Sequence, residues 1–142
     1  FLRRCGADVT RVRKMFRDDV KSYRAKAEAI RHVETYKNCF AIAVCPSEGI
    51  DSPTVVASQA ANELLNVDSI KATFVLTDYQ GKIYISARAI DEVNVQLIME
   101  KMGGGGHINM AGAQLPGVSV EEGIRQLKNT IDKMIKEGDI EV

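Results

Sequence analysis

The chain has 142 residues, and its 19 Lys and Arg balance its 19 Asp and Glu, so the formal net charge is zero. A hydrophobic share of 45% with 27% charged residues is typical of a globular protein and excludes disorder of the chain as a whole; the length predicts one domain. The balanced charge argues against a broad electrostatic grip on nucleic acid, so any recognition of phosphate must be local.

The first predicted element is a helical lead-in. Residues 8–33 contain no Gly or Pro, and apolar side chains recur there at three-to-four spacing, which predicts one helix or two. The stretch is locally basic, which keeps a nucleic-acid interpretation open. The chain starts at Phe1 rather than Met, and we therefore expect a piece of a longer polypeptide. No apolar run approaches the ~20 residues that span a bilayer, so we expect no membrane contact by this segment.

Seven elements are predicted after the lead-in. In chain order they are a buried strand, a helix, two strands joined by a hairpin turn, a helix, a short strand and a last helix: Cys39–Cys45, Pro53–Leu65, Ala72–Thr77, Lys82–Arg88, Val93–Met102, Ala113–Leu115 and Ser119–Glu137. Gly103 follows the second helix as a C-terminal cap, and Ser119 with Glu122 forms a capping box. The order β-α-β-β-α-β-α predicts an α/β (α+β) fold, with a mixed sheet of about four strands covered by helices.

The most informative segment is the glycine run Gly103–Gly106, followed by His107. Consecutive glycines lose backbone freedom on folding, and they are useful where backbone N–H groups must approach an anion. The N–H groups of Gly104, Gly105 and Gly106 are therefore candidate phosphate donors, and the ring of His107 can add a donor or a positive charge. The alternative is a tight helix-to-strand turn with His107 at the surface.

Arg88 is the second candidate for binding phosphate. It ends a predicted strand, and its planar guanidinium offers several parallel donors at any working pH. Ser86 lies two residues earlier, on the same face of the strand. The alternative for Arg88 is an ion pair with a nearby carboxylate, Asp91 or Glu92. Two asparagines are weaker candidates, the first of which is also expected to cap a helix: Asn94 and Asn109.

The sequence shows no means of cleaving a phosphodiester. His32 and His107 are far apart, and no clustered Asp/His motif, HExxH or P-loop occurs. We therefore expect no catalytic residue and no metal ligand in this chain. Three cysteines without metal-type spacing are typical of a protein from a reducing compartment.

The run Gly103–His107 followed by Ala111–Ala113, with Ser86–Arg88 upstream, resembles the DHH-associated C-terminal domain, DHHA type 1. This domain accompanies phosphoesterases of the DHH superfamily. Including Phe1–Asp8 and Asn94–Glu100, essentially the whole chain is similar to the C-terminal part of the GdpP (YybT) type of membrane-anchored cyclic-di-AMP phosphodiesterase.

The resemblance implies a domain division and a reaction. Residues 1–36 match a helical linker from a missing upstream DHH domain, and residues 37–142 match the substrate-binding domain. The family implies two Mn²⁺ ions in the upstream domain, none bound by this chain, and hydrolysis of cyclic-di-AMP to pApA. It also implies a cytoplasmic domain of a protein anchored in the bacterial cell membrane. Ala89 and Gly112 stand where the family commonly has a serine and an alanine, which could change contacts to sugar or base.

By position, Arg88 and the Gly104–His107 loop match the family's substrate-binding elements. Two other functions stay open at this point. One is a module for single-strand RNA or nano-RNA in a DHH-family exonuclease or related enzyme, which would need exposed stacking aromatics. The other is a structural or dimerisation module, and a homodimer is compatible with nucleotide binding as well.

Overall fold

The computed structural model describes residues 20–90 and 93–140 of the chain. They form one six-stranded mixed sheet with helices on both faces, which confirms the predicted α/β (α+β) class. The beginning of the predicted lead-in helix, up to residue 19, lies outside the described residues. None of the helices described is both long enough and apolar enough to cross a membrane.

Along the described chain, two strands lie between each helix and the next. The helices are α1 Val20–Arg31, α2 Pro53–Leu64, α3 Val95–Lys101 and α4 Val120–Lys136. The strands are β1 Glu34–Tyr36, β2 Phe40–Val44, β3 Ala72–Tyr79, β4 Lys82–Ala89, β5 Gly105–Gly106 and β6 Met110–Pro116. Their spatial order is β1-β2-β3-β4-β6-β5, and β2 with β3 is the parallel pair of this sheet.

The sheet has six strands where the sequence predicts about four, because two short edge strands add to it. β1 forms inside the predicted linker and pairs with β2 across a turn in which Lys37 and Asn38 have positive φ. β5 forms inside the glycine run and pairs with β6. Both strands are too short to show an alternation of apolar and polar residues in the sequence. Each of them forms because it pairs with a longer neighbouring strand. β6 also begins at Met110, earlier than the predicted Ala113.

Two hydrophobic layers lie on either side of the sheet. The layer under α3 and α4 contains large side chains such as Phe40, Phe74 and Leu127, which are fully buried. Burial of one such side chain stabilises the fold by roughly 1.5–3 kcal/mol. The layer under α1 and α2 is rich in alanine, including Ala57 and Ala61. These small side chains allow α2 to pack closely on the sheet.

β6 is covered on one face only. Its residues alternate between buried and at least partly exposed along the whole strand. The buried set faces the layer under α3 and α4: Ala111, Ala113 and Leu115. Because successive side chains of a strand point to opposite faces, the other set lies on the α2 side of the sheet: Met110, Gly112, Gln114 and Pro116. This side of β6 is therefore accessible to a ligand.

Candidate functional site

The same side of the sheet continues onto β4, the neighbour of β6, where Ser86 is buried. The register pairs Ser86 with Gly112 and Arg88 with Met110. Directly opposite residues of an antiparallel pair share a face, so Ser86 and Arg88 stand on the same side as the exposed set of β6. We call this surface the open face, and it consists of residues 82, 84, 86 and 88 of β4 and residues 110, 112, 114 and 116 of β6.

Arg88 is half-buried on the open face. Its Nε donates to Asn62 Oδ1 at 3.0 Å, and its Nη1 donates to the Ala87 carbonyl at 2.8 Å. These contacts orient the guanidinium without neutralising it, and Arg88 forms no ion pair within residues 20–90 and 93–140. Burial lowers the pKa of Arg88 from its usual value, so a bound anion would offset an unfavourable environment for the charge. The alternative partners Asp91 and Glu92 lie outside the described residues.

α2 borders the open face with Thr54, Ser58 and Asn62, which a spacing of four brings to one side of a helix. Ser58 Oγ donates to the Thr54 carbonyl at 3.0 Å and lies 3.1 Å from Ser86 Oγ. Because Ser58 uses its single proton for Thr54, Ser86 donates within the serine pair, and Ser86 Oγ can only accept from a ligand. Ser86 therefore suits a sugar hydroxyl better than a phosphate oxygen.

The glycine run leads the chain from α3 into β5. The N–H of Gly104 donates to the Met99 carbonyl at 2.8 Å, so this predicted phosphate donor is already used at the end of the helix. A Cβ on Gly104 would lie 2.7 Å from Ala113 Cα and closer still to the Gly112 carbonyl oxygen. Gly104 thus allows two backbone segments to approach each other, and its N–H is not available to a ligand.

The other two glycine donors lie on β5, at the edge of the sheet. His107 and Met110 exchange both backbone hydrogen bonds, at 2.7 and 3.3 Å. Bonded and non-bonded pairs alternate along an antiparallel ladder, so Gly105 faces Gly112 in a bonded pair and Gly106 stands in a non-bonded pair. Of the three predicted donors, Gly106 is the one whose N–H is directed away from β6, towards the outer edge of the sheet.

His107 is exposed at the end of this hairpin. It stands opposite Met110, which stands opposite Arg88, so the three residues form one row across the sheet. Neighbouring strands lie about 4.8 Å apart, which separates the backbones of Arg88 and His107 by about 10 Å. Two groups that can donate to an anion therefore stand on either side of the exposed Met110 side chain.

The two asparagines differ in what their positions offer a ligand. Asn94 Oδ1 accepts from Leu97 N at 3.2 Å and so caps α3, as expected. The carbonyl of Asn109 accepts from Ala89 N at 3.0 Å, and Asn109 lies in the turn that follows His107. Asn109 is thus close to the candidate donors, whereas the side chain of Asn94 serves the helix.

A cavity of about 490 Å³ lies along the open face. It extends from the glycine run over the half of β4 that is farther from Arg88, and its lining includes Thr54, Lys82, Tyr84, Ser86, Gly104, Gly112 and Gln114. Arg88 and His107 do not line the cavity. It adjoins these predicted anion-binding residues, because Ser86 and Gly112 in its lining are two residues away from Arg88 and Met110 on the same strands. Sequence reasoning missed Tyr84 and Gln114. The alternation of β4, in which Tyr84 shares a face with Ser86 and Arg88, was the signal that could have found the first of them.

A metal ion has no evident set of ligands in the described part of the chain. Over residues 20–90 and 93–140, no three His, Cys, Asp or Glu side chains are grouped closely enough to hold one. The open face offers a ligand hydrogen-bond donors, one guanidinium and an aromatic ring. This chemistry suits binding and orientation of an anion with an attached ring system.

The chain is similar to known proteins in both sequence and structure. Residues 37–137 match the family model of the DHHA1 domain. The chain is 40% identical over 140 residues to the cyclic-di-AMP phosphodiesterase GdpP of Bacillus subtilis (strain 168), covering 97% of this chain and 21% of that protein. It is 38% identical over 133 residues to the cyclic-di-AMP phosphodiesterase PdeA of Listeria monocytogenes serotype 1/2a (strain 10403S), covering 93% and 20%.

The chain thus spans about a fifth of the length of these relatives. Among solved structures, an exopolyphosphatase-related protein from Bacteroides fragilis superposes with a TM-score of 0.72 at 18% identity, over 81% of this chain and 35% of that one. At this identity the superposition shows a shared fold.

Proposed function

The chain belongs to the DHHA1 domain family, and we propose on this basis that it is the substrate-binding domain of a phosphodiesterase that hydrolyses cyclic-di-AMP to pApA. The relatives GdpP and PdeA are cyclic-di-AMP phosphodiesterases by name, which supports cyclic-di-AMP as the substrate. The observation that carries the proposal is the guanidinium of Arg88, which is half-buried, oriented by Asn62 and Ala87, and without an ion pair among the described residues. A phosphate is an anionic partner that the planar fork of such a group can bind.

The proposal assigns a role to four candidate residues: Arg88, Gly106, His107 and Ser86. Arg88 donates to a phosphate oxygen, and Gly106 N–H and His107 donate from the other side of the row. Ser86 accepts from a sugar hydroxyl, because its own proton is used within the serine pair. A weaker contact is assigned to Asn109, whereas Gly104, Gly105 and Asn94 keep the hydrogen bonds that they make within the fold.

The cleavage step belongs, in this proposal, to an upstream DHH domain of the same protein, which would hold two Mn²⁺ ions. Such a metal pair, when bound, supplies an activated water and stabilises charge on the phosphate. The residues of this chain bind the nucleotide and hold its phosphodiester in position for attack. We also propose that the complete protein is anchored in the bacterial cell membrane, with this domain in the cytoplasm.

Calorimetric titration of cyclic-di-AMP into the chain and its Arg88→Ala variant tests the proposal. A guanidinium that makes two charge-assisted hydrogen bonds to a phosphate contributes about 3 kcal/mol, so the variant should bind about 150-fold more weakly. Arg125→Ala is the matched control, because Arg125 pairs with Glu122 on α4, on the other side of the sheet. Its affinity should equal that of the wild type.

The same variants should be compared by KM in the complete protein, where the upstream domain can supply part of the pocket. Equal affinity and equal KM for the wild type and Arg88→Ala would contradict the proposal. A short oligo-A is the comparison ligand: tighter binding of oligo-A, with an affinity that falls steeply with salt, would favour an RNA-binding module instead. The chain alone should produce no pApA with Mn²⁺, and measurable turnover would show that hydrolysis does not need the upstream domain.

A further inference from the structure

The cavity on the open face adjoins Arg88 without being lined by it, and it is larger than a single phosphate needs. Its volume of about 490 Å³ is within the range of small-molecule pockets, about 300–1,000 Å³. Tyr84, which lines it, lies four residues from Arg88 on β4, or about 13 Å at about 3.3 Å per residue. A ligand held at Arg88 by its phosphate would therefore extend into the cavity with the group that the phosphate carries.

Tyr84 supplies the aromatic surface of this cavity. It is half-buried, and its ring packs against that of Tyr79 with centroids 6.1 Å apart and an interplanar angle of 52°. Aromatic side chains stack on any nucleobase, because every base has a π-face. Tyr84 therefore favours a base in the cavity without choosing which one.

Gln114 stands directly opposite Tyr84 on β6 and also lines the cavity. Its Oε1 accepts from Lys82 Nζ at 3.4 Å, which is longer than a usual N–H···O hydrogen bond and is therefore easily exchanged. A glutamine amide presents one donor and one acceptor side by side, which matches the N7 acceptor and the N6 amino donor of adenine. Guanine carries an O6 acceptor in place of the amino group and would suit Lys82, which can only donate.

We propose that Tyr84 and Gln114 form a nucleobase subsite for an adenine of the ligand whose phosphate Arg88 holds. The subsite rests on the proposed function, since Arg88 anchors the same molecule. Tyr84 provides the stacking surface, and Gln114 provides the choice of adenine over guanine. When adenine binds, the Gln114 amide exchanges its contact with Lys82 for the edge of the base.

Titration of cyclic-di-AMP and cyclic-di-GMP into the chain and its variants tests the subsite. Tyr84→Leu keeps apolar cover on Tyr79 but removes the π-face, and it should weaken both ligands about 5- to 150-fold. Tyr84→Phe keeps the ring and should restore affinity to within about threefold of the wild type, since stacking carries the contact. Gln114→Leu should reduce the preference for cyclic-di-AMP over cyclic-di-GMP by about tenfold.

Gln59→Leu is the matched control, because Gln59 is exposed on α2 and does not line the cavity. It should keep both affinities. Thermal unfolding of each variant separates loss of binding from loss of folding. Wild-type affinities in a folded Tyr84→Leu variant, or an unchanged ratio of the two affinities in a folded Gln114→Leu variant, would overturn the subsite.

Ribose 5-phosphate distinguishes failure of the subsite from failure of the proposed function. It carries a phosphate and no base. In a chemical-shift titration, its affinity should therefore be lower for Arg88→Ala than for the wild type, and equal to the wild type for Tyr84→Leu. If Arg88→Ala leaves the affinity for all three ligands unchanged, the proposed function fails. If Arg88→Ala weakens them and Tyr84→Leu weakens none, the proposed function stands and the base subsite fails.

Discussion

The substitution Gly105→Ala separates ligand binding by the glycine run from its role in folding. No heavy atom outside its chain neighbours lies within 4 Å of the position that a Cβ on Gly105 would occupy, and its φ is not positive. The fold should therefore accept an alanine here. Because alanine restricts the unfolded chain more than glycine does, the variant should be more stable by about 0.4–1 kcal/mol.

The added methyl group would instead meet the ligand. Gly105 pairs with Gly112, which pairs with Ser86, so the methyl shares a face with Ser86 at the border of the cavity. A phosphate bound by Gly106 N–H and His107 would be displaced, and at least one hydrogen bond to a charged oxygen would be lost. Such a bond contributes about 1.5–3 kcal/mol, which corresponds to an affinity about 10- to 150-fold lower.

Gly104→Ala is the matched variant, with the opposite expectation for stability. Its Cβ would lie 2.7 Å from Ala113 Cα, so the backbone must move, at a cost of about 1–3 kcal/mol. Thermal unfolding and titration with cyclic-di-AMP measure both quantities. Gly105→Ala should melt at or above the wild-type temperature and bind weakly, whereas Gly104→Ala should melt several degrees lower. Wild-type affinity in Gly105→Ala, or a melting temperature clearly below the wild type, would refute the reasoning.

Two further predictions concern stability and reactivity. Burial, with a 2.5 Å hydrogen bond to Asp132, raises the pKa of Tyr36 from about 10 to about 12. The neutral hydroxyl thus stabilises the fold fully below pH 10 and loses this contribution as the pH rises through about 12. Tyr36→Phe should lower the melting temperature at pH 8 and flatten its decline between pH 10 and 12; an unchanged decline would contradict this. Burial also raises the pKa of Cys45 to about 11. Iodoacetamide at pH 8 should therefore modify Cys45 only after denaturation, as measured by peptide mass spectrometry. Rapid native labelling would contradict the burial.

Local patterns predict most of the elements of this fold. The hairpin between β3 and β4 turns at Gln80 and Gly81, which both have positive φ, as the turn residues indicate. Ser119 accepts from Glu122 N and caps α4 as the capping box predicts. These features depend on a few consecutive residues, so the sequence contains the information needed. β1 and β5 depend on pairing with distant strands, and no local pattern marks them.

The candidate site is predictable only in part, for the same reason. Alternation along one strand is enough to place Ser86 and Arg88 on one face. The role of each glycine depends on hydrogen bonds to other segments: the N–H of Gly104 is taken by the Met99 carbonyl, which spacing alone does not reveal. Gln114 becomes a neighbour of Tyr84 through the register of β4 and β6. Register is set by the packed sheet as a whole.

The zero net charge and the positions of the charged side chains are both consistent with a small ligand. Several basic side chains are paired with carboxylates at the surface: Lys26 with Glu63, Lys128 with Glu34 and Arg125 with Glu122. Such pairs cancel the field that would attract a polyanion over a wide area. Arg88 is set apart from them, because its half-buried guanidinium is oriented by an amide and a carbonyl, which are neutral. A site of this kind binds one phosphate strongly and gains little from a longer chain of phosphates. Over residues 20–90 and 93–140, the charge distribution therefore favours the proposed dinucleotide over an extended single strand.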